Sequence, residues 1–363
     1  NYYTVSYYLG NGSTNAAYQK LTQTVEEGTV VTFAKVPART GYVNQGWSSK
    51  KNSEKATAKA KCTVNKNITL YAVQKKAVQL TFHRCDGSTW QKTTLAKGSS
   101  YSLPGVRDAE GYTFMGWSTK PMQSVSPQYE AEEKITVNGN VDLYAVVFNR
   151  TTETDLTEDQ LPQVDIYKYK QVIFVGDSRT EFMENVLTGM GESATKNVKF
   201  VCSAGKGLDW FTTTGWAQLY SIVQHDSNSI LSKKTAVIFN FGVNDLSKSA
   251  DYAEYYNWIA PQLKSKGCEL YFMSVNPVNR LMLPNAGRAD RSEAAVRSFN
   301  QYMKANLSSA YTYIDMYSYL KSTGYSFASD HYGTGTVDDG LHYTTRTYKR
   351  IFAKCMDSLR VPA

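Results

Sequence analysis

The sequence predicts an α/β protein with a five-stranded parallel sheet in its C-terminal half and two small β-rich repeats before it. Two observations support this class. After residue 171, continuous apolar runs are separated by amphipathic stretches, as in parallel strands that helices cover on both faces. Before residue 150, a segment of about seventy residues occurs twice, and both copies alternate apolar and polar residues as half-buried strands do.

The chain has 363 residues, which is more than one hydrophobic core usually serves, and this length predicts two or three domains. No apolar run approaches the roughly 18–20 residues that a membrane span requires, so we expect no transmembrane segment. The first residues, Asn1-Tyr2-Tyr3, lack the basic start and apolar core of a signal peptide. A leader that was removed and a trimmed chain both explain this.

The repeats are recognised by two matching stretches. Residues Gly41–Ser48 recur as Gly111–Ser118, and residues Thr63–Val73 recur as Thr136–Val146. In each copy, glycine turns punctuate short alternating runs, and aromatic residues supply a large share of a small core. We therefore predict two consecutive β modules. The predicted domains are residues 1–77, residues 78–149, a linker or lead-in at 150–170, and residues 171–363.

The order of these motifs resembles a known bacterial surface module. An early glycine turn, Gly-Tyr-x-x-x-Gly-Trp and a final Leu-Tyr-Ala strand are similar to the B repeats of the internalin type, the Listeria-Bacteroides repeats. The resemblance covers about residues 1–149. It implies a small grasp-like β-sheet in each copy and a role as a spacer or adhesive unit. Trp47 and Trp117 hold equivalent positions, which favours core packing over stacking on sugars.

Positive charge is concentrated at the start of the chain. Residues 1–78 contain eleven Lys and Arg against three Glu, whereas residues 79–150 and 151–363 are balanced. A cationic module predicts an anionic partner such as a bacterial cell wall or mucin. A lysine-rich face that only contacts solvent explains the same counts. No nucleic-acid-binding motif accompanies the lysines, so nucleic acid is not expected as a partner.

The five cysteines predict neither a disulfide framework nor a metal site. They are few and scattered, and no Cys-x-x-Cys occurs. The spacing of Cys62 and Cys85 permits a pair without requiring one. We expect no metal and no other cofactor.

From Gln171 onward, strand and helix patterns alternate, which predicts a flavodoxin-like α/β/α sandwich. The preceding stretch, Arg150–Tyr169, is polar and acidic and has no clear period. The predicted strands are 171–175, 198–202, 235–241, 268–275 and 311–316. The first predicted helix begins after the first strand and ends near residue 190. The other predicted helices cover 216–230, 252–266, 291–307 and 345–359.

Five residues that are candidates for a catalytic site follow these strands or precede the last helix. Ser178 stands at a strand-to-helix turn, Gly207 follows the second strand, and Asn244 ends the third; Asp339 precedes His342 by three positions. Each has an ordinary explanation, such as capping for the serine or a turn for the glycine. Together they supply a nucleophile, a base, an acid that orients the base, and oxyanion donors. Carboxyl ends of parallel strands meet at one edge, so these residues predict a serine hydrolase site.

Three motifs occur in the order and spacing of the SGNH, or GDSL-type, hydrolases: Gly176-Asp177-Ser178, Gly-x-Asn-Asp and Asp-x-x-His. The chain resembles this family over about residues 171–363. Ser178, Gly207, Asn244 and His342 match the four residues that name that family. The resemblance implies that Ser178 is the nucleophile, His342 the general base and then acid, and Asp339 its orienting partner. It implies an oxyanion hole from the backbone N–H groups of Ser178 and Gly207 and the amide of Asn244.

Some alternatives stay open at this site. The second block reads Ala-Gly-Lys-Gly, so Gly205 is an alternative donor, although a helix start directly after Gly207 favours Gly207. Among the other histidines, His83 lies in a repeat and His225 in a polar loop. His331 is expected at the rim of the site, because no aspartate precedes it by three positions.

The resemblance implies hydrolysis of short acyl esters, often acetyl groups on polysaccharides. The segments Asn276–Asp290 and Ser322–Asp338 are polar and suit sugar contacts. With surface-type repeats attached, we expect a secreted or cell-surface bacterial esterase that deacetylates an extracellular glycan. An O-acyltransferase with the same triad, and an adhesin whose hydrolase-like domain binds glycan, are the alternatives. We also expect a chain that begins at Thr151 to keep its activity, because no proposed site residue precedes it.

Overall fold

The computed structural model describes residues 1–224, 230–328 and 338–359. The chain divides into two compact units. The N-terminal unit comprises Asn1–Arg84, Ser88–Ser102 and Lys134–Leu143, and the C-terminal unit comprises Cys85–Gly87, Leu103–Glu133 and Tyr144–Ala363. The domain limits at residues 77, 149 and 170 stay a prediction. The boundaries of the compact units fall at other residues, because the second repeat contributes to both units.

The first 149 residues form β-strands with one short helix. The elements are β1 (Tyr2–Tyr8), α1 (Ala16–Gln19), β2 (Gln23–Glu26), β3 (Val30–Thr32), β4 (Tyr42–Ser48), β5 (Lys61–Thr63), β6 (Ile68–His83), β7 (Thr89–Ala96), β8 (Ser99–Ser102), β9 (Tyr112–Ser118), β10 (Lys134–Val137) and β11 (Val141–Asn149). Within the N-terminal unit, β6 pairs in parallel with β1 and antiparallel with β4 and β7. Strand β1 pairs with β2, β3 with β5, and β8 with β10, all antiparallel.

The core of the N-terminal unit surrounds a tryptophan. Trp47 is buried with Val5, Tyr7 and Leu70, and its indole N–H donates to the Ala34 carbonyl at 2.6 Å. The bond satisfies the only polar atom of the side chain, so the apolar ring contributes its full area to the core. The prediction that this repeat position serves core packing is confirmed for Trp47.

The C-terminal unit contains a parallel sheet and the longer helices. Its further elements are β12 (Gln171–Gly176), α2 (Ser178–Met190), β13 (Val198–Cys202), α3 (Leu208–Trp210), α4 (Trp216–Gln224), β14 (Thr235–Asn240), α5 (Ser249–Ser265), β15 (Cys268–Met273), α6 (Glu293–Asn306), β16 (Tyr311–Ile314), α7 (Met316–Thr323), β17 (Phe327–Ala328), β18 (His342–Tyr343) and α8 (Thr345–Ser358). The strand order is β13-β12-β14-β15-β16 with every pair parallel. In chain order this is 2-1-3-4-5, the flavodoxin-like order, as predicted.

Both faces of this sheet are covered. On β14, Ile238 faces a core that includes Phe182 of α2 and Phe352 of α8. The neighbouring Phe239 faces a second core with Tyr256 of α5 and other helical residues. All six residues of β12 and all six of β14 are buried, which explains why these strands are apolar without alternation.

Part of the second repeat belongs to the C-terminal unit. Strand β9 pairs antiparallel with the end of β11, and Trp117 of β9 is 1% exposed. Thr113 donates from its hydroxyl to the carbonyl of Tyr325 at 2.7 Å. The ammonium of Lys321, on α7, donates to the Met115 carbonyl at 3.0 Å. These bonds tie the second repeat to helices and loops of the α/β fold.

The segment before β12 packs on the C-terminal unit. Glu153 is 5% exposed, and its carboxylate accepts bonds from Arg350 at 2.7 Å and from the hydroxyls of Thr347 and Ser326 at 2.5 Å each. Further along, Tyr169 is buried in the same core as β12. Two residues of the segment 150–170 thus pack on the C-terminal unit, while its assignment as a linker or a lead-in stays a prediction.

All five cysteines are free thiols, so Cys62 and Cys85 are unpaired with each other. Within the described parts of the chain, no helix combines the length and the apolar character that crossing a bilayer requires.

Candidate active site

Ser178 is the first residue of α2, and only Asp177 separates it from β12, which lies between β13 and β14 in the sheet. The helix is capped by its neighbour, because Asp177 Oδ1 accepts the Arg179 backbone N–H at 3.0 Å. Gly176 is required just before, since a Cβ there would lie 2.0 Å from the hydroxyl of Thr180. Capping is therefore the task of Asp177, and the Ser178 hydroxyl is left to make a different contact.

That contact is a chain of hydrogen bonds through a histidine to an aspartate. Ser178 Oγ lies 2.9 Å from His342 Nε2, and His342 Nδ1 lies 2.6 Å from Asp339 Oδ2. Asp339 is 0% exposed, and its Oδ1 accepts the backbone N–H groups of Leu341 at 2.9 Å and His342 at 2.8 Å. The structure thus brings together the three residues that the sequence assigns to a triad.

The surroundings of His342 favour the neutral form of its imidazole. Burial lowers the pKa of His342, the Asp339 carboxylate opposes that effect, and the cations Arg179 and Arg288 add to the lowering. Burial raises the pKa of Asp339, but the hydrogen bonds from His342 and from two backbone N–H groups outweigh it, so this pKa is lowered. A charged Asp339 beside Nδ1 favours the tautomer whose Nε2 accepts the serine proton.

Arg179 holds the loops around the triad in place. It is 3% exposed, and its guanidinium donates to the carbonyls of Leu341 at 2.9 Å, Asn276 at 2.8 Å and Pro277 at 2.8 Å. It therefore joins the loop after β15 to the residue directly before His342. In the sequence, the only sign of this role is that a basic residue follows the serine.

Asn244 follows β14 and faces the same cavity as Ser178. Its Nδ2 donates to the Lys206 carbonyl at 2.8 Å, and its Oδ1 accepts from Arg291 Nη2 at 2.8 Å. Arg291 also donates from Nε to the Val243 carbonyl at 2.7 Å. With both ends of the amide fixed, the second hydrogen on Nδ2 has a defined direction.

The two glycines of the second block take different places. Gly205 lines the cavity and has φ of +70°, whereas Gly207 begins α3 against Asp245. A Cβ on Gly207 would lie 2.4 Å from the Asp245 carboxylate, which accepts the Leu208 N–H at 2.9 Å. Within the described residues, the lining of the cavity includes Gly205 and not Gly207. The oxyanion role of Gly207 stays a prediction, and Gly205 stays the alternative donor.

The triad opens into a cavity of about 220 Å³. Apart from Ser178, His342 and Asn244, its lining combines small residues with two arginines: Ala204, Gly205, Gly287, Arg288, Ala289, Arg291 and Leu341. Sequence reasoning placed Arg288 only in a polar rim segment and Arg291 only at a helix start. His225 and His331, to which the sequence assigns no place in the triad, lie outside the described residues.

Comparisons with known proteins identify the fold. Residues 172–355 match the GDSL-like Lipase/Acylhydrolase family, which is half of the chain. The chain belongs to this family of hydrolases. Residues 3–73 and 79–146 match the Listeria-Bacteroides repeat domain, so the predicted repeats are confirmed.

Individual relatives are distant. A Gly-rich membrane protein of Evansella cellulosilytica is 26% identical over 146 residues, which are 40% of this chain and 16% of that protein. An acylhydrolase of Bacteroides fragilis is 15% identical, with 56% of this chain and 91% of that structure covered and a TM-score of 0.35. The catalytic domain of a peptidoglycan O-acetyltransferase of Streptococcus pneumoniae is 16% identical, with 53% and 93% covered and a TM-score of 0.31. The chain thus spans about a sixth of the length of the curated relative.

Proposed function

We propose that this GDSL-type hydrolase is a secreted serine esterase that removes short acyl groups, chiefly O-acetyl, from an extracellular glycan. The observation that carries the proposal is the hydrogen-bonded series Ser178–His342–Asp339, with its serine open to a cavity. A buried carboxylate and a neutral imidazole on a serine are the requirements of nucleophilic acyl transfer.

In the proposed reaction, Ser178 Oγ attacks the ester carbonyl carbon and its proton passes to His342 Nε2. Asp339 stabilises the imidazolium, and the Asn244 amide and backbone N–H groups at the cavity bind the oxyanion. When the C–O bond to the alcohol breaks, the alcohol takes the proton from Nε2. Water then attacks the acyl-serine carbonyl carbon and gives one proton to His342 Nε2. When the bond between this carbon and Ser178 Oγ breaks, His342 returns the proton to Oγ, which releases the carboxylic acid and free Ser178.

The cavity supports a short acyl group. Its apolar lining consists of Ala204, Ala289 and Leu341, while the other side chains are polar or charged. This small apolar surface gains little from burying a long chain, because each buried CH₂ contributes only about 0.8 kcal/mol where apolar atoms receive it.

We further propose that the first repeat holds the enzyme at an anionic surface outside the cell. Ten of the eleven Lys and Arg residues in the segment 1–78 are exposed, and only Lys75 is half-buried. Charges that stay in solvent are available to a cell-wall polymer or mucin. The family of the repeats supports a position outside the cell.

The decisive experiment measures acetate released from acetylated xylan, peptidoglycan and mucin by the intact protein and by Ser178→Ala. We expect release that the substitution abolishes. Ser318→Ala, which removes an exposed hydroxyl on α7, is the matched control and keeps full activity. Equal release by Ser178→Ala and the intact protein contradicts the proposal. Transfer of the acyl group to added sugar instead of water identifies a transferase.

A further inference from the structure

Two arginines, Arg288 and Arg291, line the cavity, and their guanidinium groups are used differently. Arg291 is held by three hydrogen bonds, because Nε, Nη1 and Nη2 each donate once, to Val243, Ala289 and Asn244, at 2.7–2.8 Å. The only side-chain hydrogen bond of Arg288 to a described residue runs from Nε to Asp339 Oδ2 at 3.3 Å. Its Nη atoms are therefore available to a ligand.

The backbone around Arg288 is fixed rather than loose. The N–H of Arg288 donates to the Leu283 carbonyl at 3.0 Å, and Gly287 before it has φ of +61°, which caps the short 3-10 helix Leu283–Ala286. The Arg288 side chain is 27% exposed, so it faces the cavity without being fully solvated. A partly desolvated cation in a set position binds an anion more strongly than a surface lysine does.

The charge of Arg288 works against the triad when the cavity is empty. It lies beside Asp339, whose carboxylate has to stabilise the imidazolium of His342. Among the residues that the structure describes, the cavity lining contains Arg288 and Arg291 but no carboxylate. A cation at this place disfavours the protonated histidine of the reaction. A substrate that brings a negative charge to Arg288 removes this disadvantage at the moment of reaction.

We infer that Arg288 forms an anion subsite beside the triad, and that the substrates of this enzyme are O-acyl esters of carboxylate-bearing sugars. The carboxylate lies on the same sugar ring as the ester, and it accepts two hydrogen bonds from the Nη atoms of Arg288. The planar guanidinium matches a carboxylate in this bidentate form. Arg291, which three hydrogen bonds already hold in place, adds positive charge to the cavity. This inference rests on the proposed esterase function.

The test compares two substrates that differ only at C6, a carboxylate in one and a neutral hydroxymethyl group in the other: the methyl glycosides of 2,3,4-tri-O-acetylglucuronic acid and of 2,3,4-tri-O-acetylglucose. We expect the intact protein to prefer the glucuronoside by about 10-fold or more in kcat/KM, as charge-assisted hydrogen bonds provide. Arg288→Gln is expected to bring this ratio close to one. Arg288→Lys keeps part of the preference.

Lys264→Gln is the control, because Lys264 is an exposed cation on α5 and its loss changes the net charge equally. It keeps the full preference. Circular dichroism checks that Arg288→Gln is folded. If it is not, the anion subsite is tested by the preference of Arg288→Lys and by the salt dependence of the preference of the intact protein. Equal rates on both sugars, or an unchanged ratio in Arg288→Gln, overturn the anion subsite. Failure to cleave 4-nitrophenyl acetate as well would instead refute the proposed esterase function.

Discussion

Arg291 Nη2 and Asn244 Oδ1 lie 2.8 Å apart, and this bond sets which way the Asn244 amide faces. Without it, only the bond from Nδ2 to the Lys206 carbonyl opposes a rotation that would exchange the amide oxygen and nitrogen and turn an acceptor towards the developing oxyanion. Arg291 does not need to contact the substrate for this effect. We therefore regard it as a positioning residue for the oxyanion hole.

Asn244→Ala is expected to lower kcat by about 10²–10³ with little change in KM, since one oxyanion donor is lost. Arg291→Ala is expected to lower kcat by about 10-fold or more, also at nearly constant KM, and Arg291→Lys to restore part of the loss. Steady-state kinetics on 4-nitrophenyl acetate measure both.

The double variant distinguishes positioning from general damage. If Arg291 acts through Asn244, the pair of substitutions costs no more than Asn244→Ala alone. Fully additive losses would contradict this relationship. An effect on KM alone would make Asn244 a substrate-binding residue.

The pH dependence of kcat/KM reports the state of His342. Its pKa lies below the ordinary value of about 6.5, so activity should rise with pH through a midpoint below that value and then level off. Removing the nearby positive charge in Arg288→Gln favours the imidazolium, raises this pKa and moves the midpoint to higher pH. Lys264→Gln should leave the midpoint in place. A midpoint that moves to lower pH in Arg288→Gln would contradict the electrostatics described here.

Acyl-chain length offers a further check on the cavity. We expect acetyl esters of 4-nitrophenol to be cleaved faster than butyryl esters, and octanoyl esters to be cleaved negligibly. The reason is the small apolar lining beside Ser178 and His342. Octanoyl esters cleaved as fast as acetyl esters would indicate a lipase.

The charge of the first repeat predicts salt-sensitive retention on an anionic cell-wall preparation. Retention should be strong at low salt and weak at about 1 M salt, where charges are screened within about 3 Å. Replacing Lys50, Lys51 and Lys55 with Gln should weaken it, because all three are exposed. Three comparable substitutions of exposed lysines outside the segment 1–78 should have a smaller effect; an equal effect would show that net charge alone acts.

The second repeat should matter for the enzyme itself, contrary to the expectation that a chain from Thr151 keeps full activity. Asp108 is a buried carboxylate that accepts bonds from Asn279 at 2.9 Å and from Arg150 at 2.8 Å. In the same region, Arg107 donates to the Leu281 carbonyl at 2.7 Å. Asn279 and Leu281 lie in the loop that continues to Arg288 at the cavity.

We expect Asp108→Asn to lower the free energy of unfolding by about 1–2 kcal/mol, because Arg150 and Asn279 lose a charged acceptor while Arg150 keeps its pair with Asp338. Its kcat should fall as well, and so should that of a chain that begins at Thr151. Asp142→Asn is the control, because Asp142 is 59% exposed in its pair with His83 and should cost at most about 1 kcal/mol. Thermal unfolding and ester kinetics measure both effects; a chain from Thr151 with unchanged stability and kcat would contradict the prediction.

Local patterns were enough to predict the parallel sheet and the meeting of Ser178, Asp339 and His342. They missed α7, because the run around Tyr311–Met316 is aromatic and favours strand; its helix start is marked only by Asp315, whose side chain accepts the Ser318 N–H at 3.1 Å.

Contacts between distant residues were beyond such patterns. Arg291 meets Asn244 from 47 positions away, and Arg288 meets Asp339 from 51. No periodicity or turn signal connects residues so far apart in the chain. The same reason explains why the sharing of the second repeat between two units was not foreseen.

Because Leu103–Glu133 is built into the compact unit that carries the triad, the two repeats are not interchangeable pieces of an array. Extra copies inserted directly after residue 149 would separate this segment from the loops that it braces. The last inserted copy, and not the one that contains Asp108 and Arg107, would then precede these loops in the chain. Engineers who wish to vary the reach of this enzyme should therefore add or remove modules ahead of the second repeat, and should treat that repeat as part of the enzyme.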